Sequence, residues 1–154
     1  DWPVGIGAKG NEGVAGNVAQ TAGGIGFVEY AYAKQNNLSY TKMINKDGKT
    51  VSPVAAAFGA SAAGATWDQA NGFGTILTDQ PGADTWPIAG ATFVLVYKQP
   101  QDPAATKEAL KFFQWAYNNG DPMAAGLDYV AFPAEVKQKI VTSWNQVQGW
   151  NGGR

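Results

Sequence analysis

Seven consecutive residues, Ala91 to Tyr97, restrict the fold more than any other part of the chain. The segment reads Ala-Thr-Phe-Val-Leu-Val-Tyr and contains no charged residue. Its β-branched and aromatic side chains favour a strand, and because nearly every side chain is apolar, the strand is predicted to be buried on both faces. A strand covered on both faces needs helices above and below its sheet. The segment therefore predicts an α/β fold.

Helical patterns follow this segment. Asp102-Pro103 is typical of a helix start, and apolar residues at helical spacing continue from there to Gly120. A second pattern begins at Pro133 and ends at Gly149. We therefore expect two amphipathic helices after the predicted strand.

The first half of the chain alternates between turn signals and short apolar runs. Asp47-Gly48 predicts the turn of a β-hairpin, and Ser52-Pro53 predicts the cap and first residue of an alanine-rich helix. A short strand is predicted over 73–78, and a strand entering a helix is predicted near Tyr30. Only three or four strands result, which is few for a complete sheet of this class.

Composition excludes several functions. The chain has 154 residues with no cysteine and no histidine, which removes thiol nucleophiles, histidine bases and the usual zinc sites. Its formal net charge is −1 and its lysines form no stripe, so no nucleic-acid partner is expected. No apolar run approaches the roughly 20 residues that span a bilayer, so no membrane insertion is expected. We expect no catalytic residue, no metal site and no cofactor.

A glycine-rich segment precedes a predicted helix capped by Asn11. Gly5, Gly7 and Gly10 match the G-x-G-x-x-G pattern of dinucleotide sites, which makes a dinucleotide-dependent enzyme fragment one alternative. That pattern needs a strand directly before it, and Trp2-Pro3-Val4 is too short to supply one. In a looser interpretation, Lys9, Gly10 and Asn11 line a cleft and face an anion. A plain capped loop is the third interpretation of the same residues.

Aromatic residues suggest a further alternative, a carbohydrate-binding module. The chain has six tryptophans and six tyrosines, and such rings can stack on sugars. Trp115 and Trp144 lie in amphipathic patterns, where an aromatic side chain is more often part of a core or an interface than a platform for a ligand. Trp67, Trp86 and Trp150 lie in irregular segments and have no predicted role.

Four blocks of sequence resemble one known family, and together they extend over nearly the whole chain. The blocks are Trp2-Pro3 to Gly16, Gly24 to Leu38 (Gly-Ile-Gly-Phe-Val-Glu-Tyr-Ala-Tyr-Ala-Lys-Gln-Asn-Asn-Leu), Trp86-Pro87-Ile88 to Lys98, and Lys111 to Tyr117 followed by Leu127-Asp128-Tyr129. In this order they are similar to the phosphate-binding proteins of bacterial phosphate ABC transporters. The resemblance implies a periplasmic receptor and not an enzyme.

The resemblance also implies a fold and a division of the chain. The family has a periplasmic-binding-protein-like fold of two α/β lobes with phosphate enclosed between them, and this chain matches its C-terminal half. Residues 1–90 would then be the C-terminal portion of lobe two, including the Asp47-Gly48 hairpin. Residues 91–154 would be the return strand and C-terminal helices of lobe one.

The family's phosphate ligands are not matched in this chain. Its clasp uses backbone amides, serine and threonine hydroxyls, one arginine and one aspartate, in Arg-Ser-Asp and Ser-Gly-Thr elements that this sequence lacks. The resemblance therefore implies no direct phosphate ligand among these residues. The implied partners are inorganic phosphate in the intact receptor, the membrane permease of the importer and the missing N-terminal half.

Overall fold

A computed structural model describes residues 3–153 of the chain; Asp1, Trp2 and Arg154, and with them the start of the first resemblance block, lie outside the described residues. The chain forms two compact units, Asp1–Thr41 and Lys42–Arg154. The helices and strands, in order, are α1 (Gly10–Gln20), α2 (Tyr30–Gln35), β1 (Met43–Ile44), β2 (Thr50–Val51), α3 (Ala55–Gly64), α4 (Pro103–Asn119), α5 (Asp121–Gly126) and α6 (Ala134–Ser143). Short 3₁₀ turns cover Gln69–Asn71 and Trp144–Gln146. Across residues 3–153, every helix is too short or too polar to cross a membrane.

The first unit packs α1 against the loop that leads into α2. A Cβ atom added to Gly26 would lie 2.8 Å from methyl carbons of both Val14 and Val18, so the backbone of the loop lies directly on the helix. The predicted helix near Tyr30 is confirmed. The strand expected before it is not formed, and Ile25 and Phe27 are 97% and 88% exposed.

The β-hairpin predicted at Asp47-Gly48 is confirmed, although its strands are two residues long. β1 and β2 are antiparallel, with Met43 opposite Val51. Gly48 has a φ of +73°, a conformation that glycine adopts without strain. Within residues 3–153 this hairpin is the sheet of the molecule.

The helix after the hairpin begins later than predicted. α3 starts at Ala55 with Val54 at the N-cap, so the prediction that Ser52 caps the helix and Pro53 begins it is wrong by two residues. The helix nevertheless buries one face. Ala57 packs with Val51 and Trp86, and Ala62 packs in a separate cluster with Trp67, Leu77 and Val136.

The helix predicted to begin at Asp102-Pro103 is confirmed as α4. The helix predicted to run from Pro133 to Gly149 ends earlier than predicted, because α6 ends at Ser143 and a 3₁₀ turn covers Trp144–Gln146. The Asp102 carboxylate accepts a hydrogen bond of 2.9 Å from the Ala105 N–H, which caps α4, and Gly120 follows the last residue of the helix. Leu110 of α4 is 1% exposed and packs with Trp144 and Val147, which follow α6. The core of this part of the unit therefore lies between α4 and the end of α6.

The segment 91–97 differs most from its prediction. It has no regular secondary structure, and Leu95 and Tyr97 are 94% and 82% exposed. The prediction of a strand buried on both faces is therefore wrong for the described chain. The strand predicted over 73–78 is also absent, apart from a single β-bridge between Thr78 and Ile88. A strand needs a neighbour for its backbone N–H and C=O groups, and within residues 3–153 the sheet contains neither segment.

Candidate functional site

The glycine-rich segment ends where α1 begins. Lys9 occupies the N-cap position with an extended backbone, and its side chain makes no capping hydrogen bond. Gly10, the first residue of the helix, has a φ of +67°. Because side chains rarely tolerate that backbone conformation, glycine is the residue that lets the loop turn into the helix here.

Asn11 was predicted to cap α1, and that prediction is wrong because Asn11 lies inside the helix. Its side-chain Oδ1 accepts a hydrogen bond of 2.8 Å from the backbone N–H of Glu29. The bond joins the first turn of α1 to the residue directly before α2. The amide oxygen of Asn11 is thus engaged within the first unit.

A second contact joins the same two helices. The Tyr32 hydroxyl of α2 donates a hydrogen bond of 3.1 Å to Oε1 of Glu12. This bond and the negative charge of Glu12 raise the pKa of Tyr32, with smaller contributions from burial and from Glu29. Both contacts hold α2 against the start of α1.

The predicted cleft residues are therefore brought together at one helix start, with different roles. Lys9 is exposed, Gly10 shapes the backbone and Asn11 binds Glu29. Backbone N–H groups at a helix start attract an anion, whereas Glu12 in the same turn opposes one. A cleft-lining function for Lys9, Gly10 and Asn11 stays a prediction.

Within residues 3–153 no group of three Asp or Glu side chains could hold a metal ion. The strand that a dinucleotide site needs before Gly5 is also absent from the described residues that precede it.

Three of the five tryptophans that the structure describes are core residues. Trp67, Trp86 and Trp144 are buried, and the Trp67 Nε1 donates a hydrogen bond of 2.8 Å to the Ala62 carbonyl. Trp144 occupies the predicted core position, whereas Trp115 is 47% exposed and stacks on Phe112, so it is not part of the described core and an interface position for it stays a prediction. Buried rings cannot serve as platforms for a sugar.

An apolar cavity of about 110 Å³ lies in the second unit. Residues of segment 91–97, α4 and α6 line it, together with Trp67, Phe73 and Phe132. Tyr117 lines the cavity, and burial raises the pKa of its hydroxyl. The cavity carries aromatic and aliphatic side chains without a convergent set of polar groups, which is typical of incompletely filled core.

Two polar positions in the second unit were missed by the sequence reasoning. Asn45 is buried and hydrogen-bonds the carbonyls of Gly82, Ala83 and Thr85. Its place before Lys-Asp-Gly is a turn signal that could have identified it. Asp121, the first residue of α5, pairs with Lys137, 16 residues away, which no local signal indicates.

Comparison with known proteins agrees with the resemblance. No family model matches the chain. The chain is 48% identical to a phosphate-binding protein PstS of Pasteurella multocida (strain Pm70), 46% identical to one of Haemophilus influenzae and 44% identical to one of Xylella fastidiosa (strain 9a5c). Each match covers 93% of this chain and 42%, 43% and 39% of the respective relative. The chain thus spans about two fifths of the length of these relatives.

The described residues combine helices with a two-stranded sheet, a mixed scaffold that is compatible with these relatives. Over 93% of its length the chain is similar to PstS phosphate-binding proteins. The resemblance drawn from its residues is confirmed.

Proposed function

We propose that the chain is part of the periplasmic phosphate receptor of an ABC importer, and that it serves in binding and not in catalysis. The observation that carries this proposal is 44–48% identity to phosphate-binding proteins over 93% of the chain. The coverage of about two fifths of each relative supports a role as one part of a longer receptor. The partners of that receptor would be inorganic phosphate and the membrane permease.

The chain would form the C-terminal half of a two-lobed fold. In this proposal residues 1–90 belong to lobe two and residues 91–154 to lobe one. Exposed apolar segments support it, since Ile25, Phe27 and Leu95 lie almost entirely in water. Burial of apolar surface of this extent is favourable. More than half of each relative has no counterpart in this chain, and the corresponding part of the receptor would cover this surface.

Phosphate would be held by groups outside this sequence. The receptor would close two lobes over a desolvated oxyanion, which many fixed hydrogen-bond donors and one acceptor would satisfy. The residues described here would be the scaffold of that movement. Lys9, Gly10 and Asn11 would line the cleft, supported by the exposed Lys9 side chain and the position of Gly10 at the start of α1.

Two other functions have less support. A carbohydrate-binding module uses exposed rings, and two of the three tryptophans in irregular segments, Trp67 and Trp86, are buried. A dinucleotide-dependent enzyme fragment needs a strand before Gly5, and residues 3–9 have no regular structure. The phosphate receptor therefore remains the proposed function.

Calorimetric titration with phosphate tests the proposal. We expect the receptor polypeptide that contains this sequence to bind phosphate, and the 154-residue chain alone to bind it weakly or not at all, because the clasp donors are missing. Sulfate, an anion of similar size that is fully ionised at neutral pH, is the matched control ligand.

The titrations test the proposed function and the proposed location of the phosphate clasp separately. A receptor polypeptide that ignores phosphate would contradict the function itself. Micromolar phosphate affinity in the 154-residue chain would show instead that the clasp lies within these residues. In the receptor polypeptide, Lys9→Gln is expected to weaken phosphate binding more than Lys46→Gln, a change in the hairpin turn; equal affinities would remove Lys9 from the cleft.

A further inference from the structure

Three asparagines in the second unit are each followed by glycine: Asn71-Gly72, Asn119-Gly120 and Asn151-Gly152. In such a pair the glycine backbone nitrogen can attack the asparagine Cγ. A C–N bond forms, the Cγ–Nδ2 bond breaks and ammonia leaves. Water then opens the cyclic imide to aspartate or isoaspartate. Glycine hinders this attack least because it has no Cβ, and the reaction consumes only water.

Hydrogen bonds of the Asn119-Gly120 pair, at the end of α4, oppose this reaction. The Asn119 Nδ2 donates a hydrogen bond of 2.9 Å to the Trp115 carbonyl, and the Gly120 N–H donates one of 2.7 Å to the Ala116 carbonyl. The attacking nitrogen and the leaving amide are both engaged by the last turn of the helix. Ring closure at Asn119 therefore requires the end of α4 to open.

The pair after α6 has no such restraint. Asn151 and Gly152 are exposed, and Gly152 has a φ of +73°. Within residues 3–153, neither the Asn151 side-chain amide nor the Gly152 N–H donates a hydrogen bond. Both reacting groups are therefore accessible in the folded chain.

The pair at the first 3₁₀ turn is intermediate. The Gly72 N–H donates a hydrogen bond of 3.0 Å to the Gln69 carbonyl, but the Asn71 Nδ2 lies 3.4 Å from Asp68 Oδ2, a long contact. A single short turn has to open before the reaction, and short 3₁₀ turns are weak.

We propose that the fold makes Asn151 and Asn71 sites of spontaneous deamidation, in that order, and protects Asn119. The change at Asn71 has a structural consequence. It replaces the amide beside Asp68 by a second carboxylate, in the turn that holds Phe73 at a φ of +61°. Like charges at that distance repel, so deamidation at Asn71 loosens the turn that carries Phe73.

Peptide mapping tests the order. The folded chain is incubated at mildly alkaline pH and digested with trypsin, which places the three pairs in separate peptides, 50–98, 112–137 and 140–154. Fragment ions assign each modified asparagine. In the folded chain we expect Asn119 to react at least about tenfold more slowly than Asn151, with Asn71 between them, because local opening limits the reaction.

The same chain in urea is the control, and there all three pairs should react at comparable rates. Asn119 reacting as fast as Asn151 without urea would overturn the proposal, and so would Asn71 being as slow as Asn119. For the structural consequence, Asn71→Asp reproduces the product charge and should lower Tm by roughly 2–4 °C. Asn151→Asp is the matched variant that should leave Tm unchanged; equal Tm values for the two variants would refute the repulsion.

Discussion

At the scale of single residues, Asn45 makes the strongest prediction. It is 5% exposed, its Nδ2 donates hydrogen bonds of 2.9–3.2 Å to three carbonyls of the loop 82–85, and its Oδ1 accepts from the N–H groups of Asp47 and Lys49. Asn45→Ala removes all five of these bonds, of which the one to the Thr85 carbonyl is buried. We expect a loss of about 2–3 kcal/mol in the free energy of unfolding, measured in urea.

The matched control for Asn45 is Asn145→Ala in the same unit. Asn145 is exposed, so its loss should change the free energy of unfolding by no more than about 0.5 kcal/mol. Similar losses for both variants would show that the Asn45 bonds contribute little to stability.

Tyr117 makes a prediction about pH. Burial raises the pKa of its hydroxyl above 10.0 in the folded chain, because the phenolate is poorly solvated beside the cavity. The folded state therefore binds this proton more tightly than the unfolded state. Its contribution is fully present below the unfolded pKa and is lost as pH rises through the folded pKa. Tyr117→Phe removes this loss.

The measurement for Tyr117 is the free energy of unfolding of both chains at about pH 8 and about pH 11, on either side of the ordinary tyrosine pKa. The free energy of unfolding of Tyr117→Phe relative to that of the wild-type chain should be higher at the higher pH than at the lower pH. A constant difference would show that Tyr117 does not couple ionisation to folding.

The sequence alone could not predict the partners of polar side chains that bond to distant residues. Asn11 precedes an apolar helical pattern and has the sequence signature of an N-cap, yet its partner is Glu29, 18 residues away. Asp121 pairs with Lys137 for a similar reason. The partners of both side chains come near only when the helices pack. The partner of Asp102 is three residues away, and the capping role of Asp102 was predicted correctly.

At the scale of elements, Lys137 joins three helices. Its Nζ lies 2.6 Å from Asp121 Oδ2 at the start of α5 and 3.2 Å from the Tyr117 carbonyl near the end of α4. The Lys137 side chain is 14% exposed, while that of Asp121 is 54% exposed and therefore partly screened by water. We expect a coupling energy of about 1 kcal/mol from a double-mutant cycle of Asp121→Asn and Lys137→Met.

The pair of Glu135 and Lys139 on α6 is the control for this cycle. Both side chains are exposed, and such i,i+4 pairs contribute about 0.3–0.5 kcal/mol. A coupling energy for Asp121 and Lys137 no larger than that of the control would mean that the pair does not help to fix α5 and α6.

The elements that could be predicted from sequence are those stabilised by local interactions. The helix over Pro103–Asn119 has its own cap and apolar stripe, and the hairpin has its own turn at Asp47-Gly48, so each forms where its pattern lies. The segment 91–97 has a strong strand pattern, but a strand forms only against a neighbour. Whether segment 91–97 forms a strand therefore depends on a neighbouring strand, which the pattern of the segment itself cannot predict.

At the scale of the whole molecule, exposed apolar surface is the feature that most affects association between chains. Leu95 is fully accessible and lies in a segment without charge, proline or glycine, which is the signature of a strand prone to pair with another chain. The net charge of −1 opposes association weakly. We expect the 154-residue chain alone to associate as concentration rises, as measured by light scattering.

Leu95→Lys should reduce this association, because a charge in a strand segment opposes pairing between chains. It should change the free energy of unfolding by no more than about 0.5 kcal/mol, because the Leu95 side chain packs against almost nothing in the described chain. Leu127→Lys is the matched control, since Leu127 is 61% exposed but follows α5 and lies in no strand-like segment. A wild-type chain that stays a cooperatively folded monomer at every concentration, or equal association of the two variants, would show that segment 91–97 has no need of a neighbouring strand.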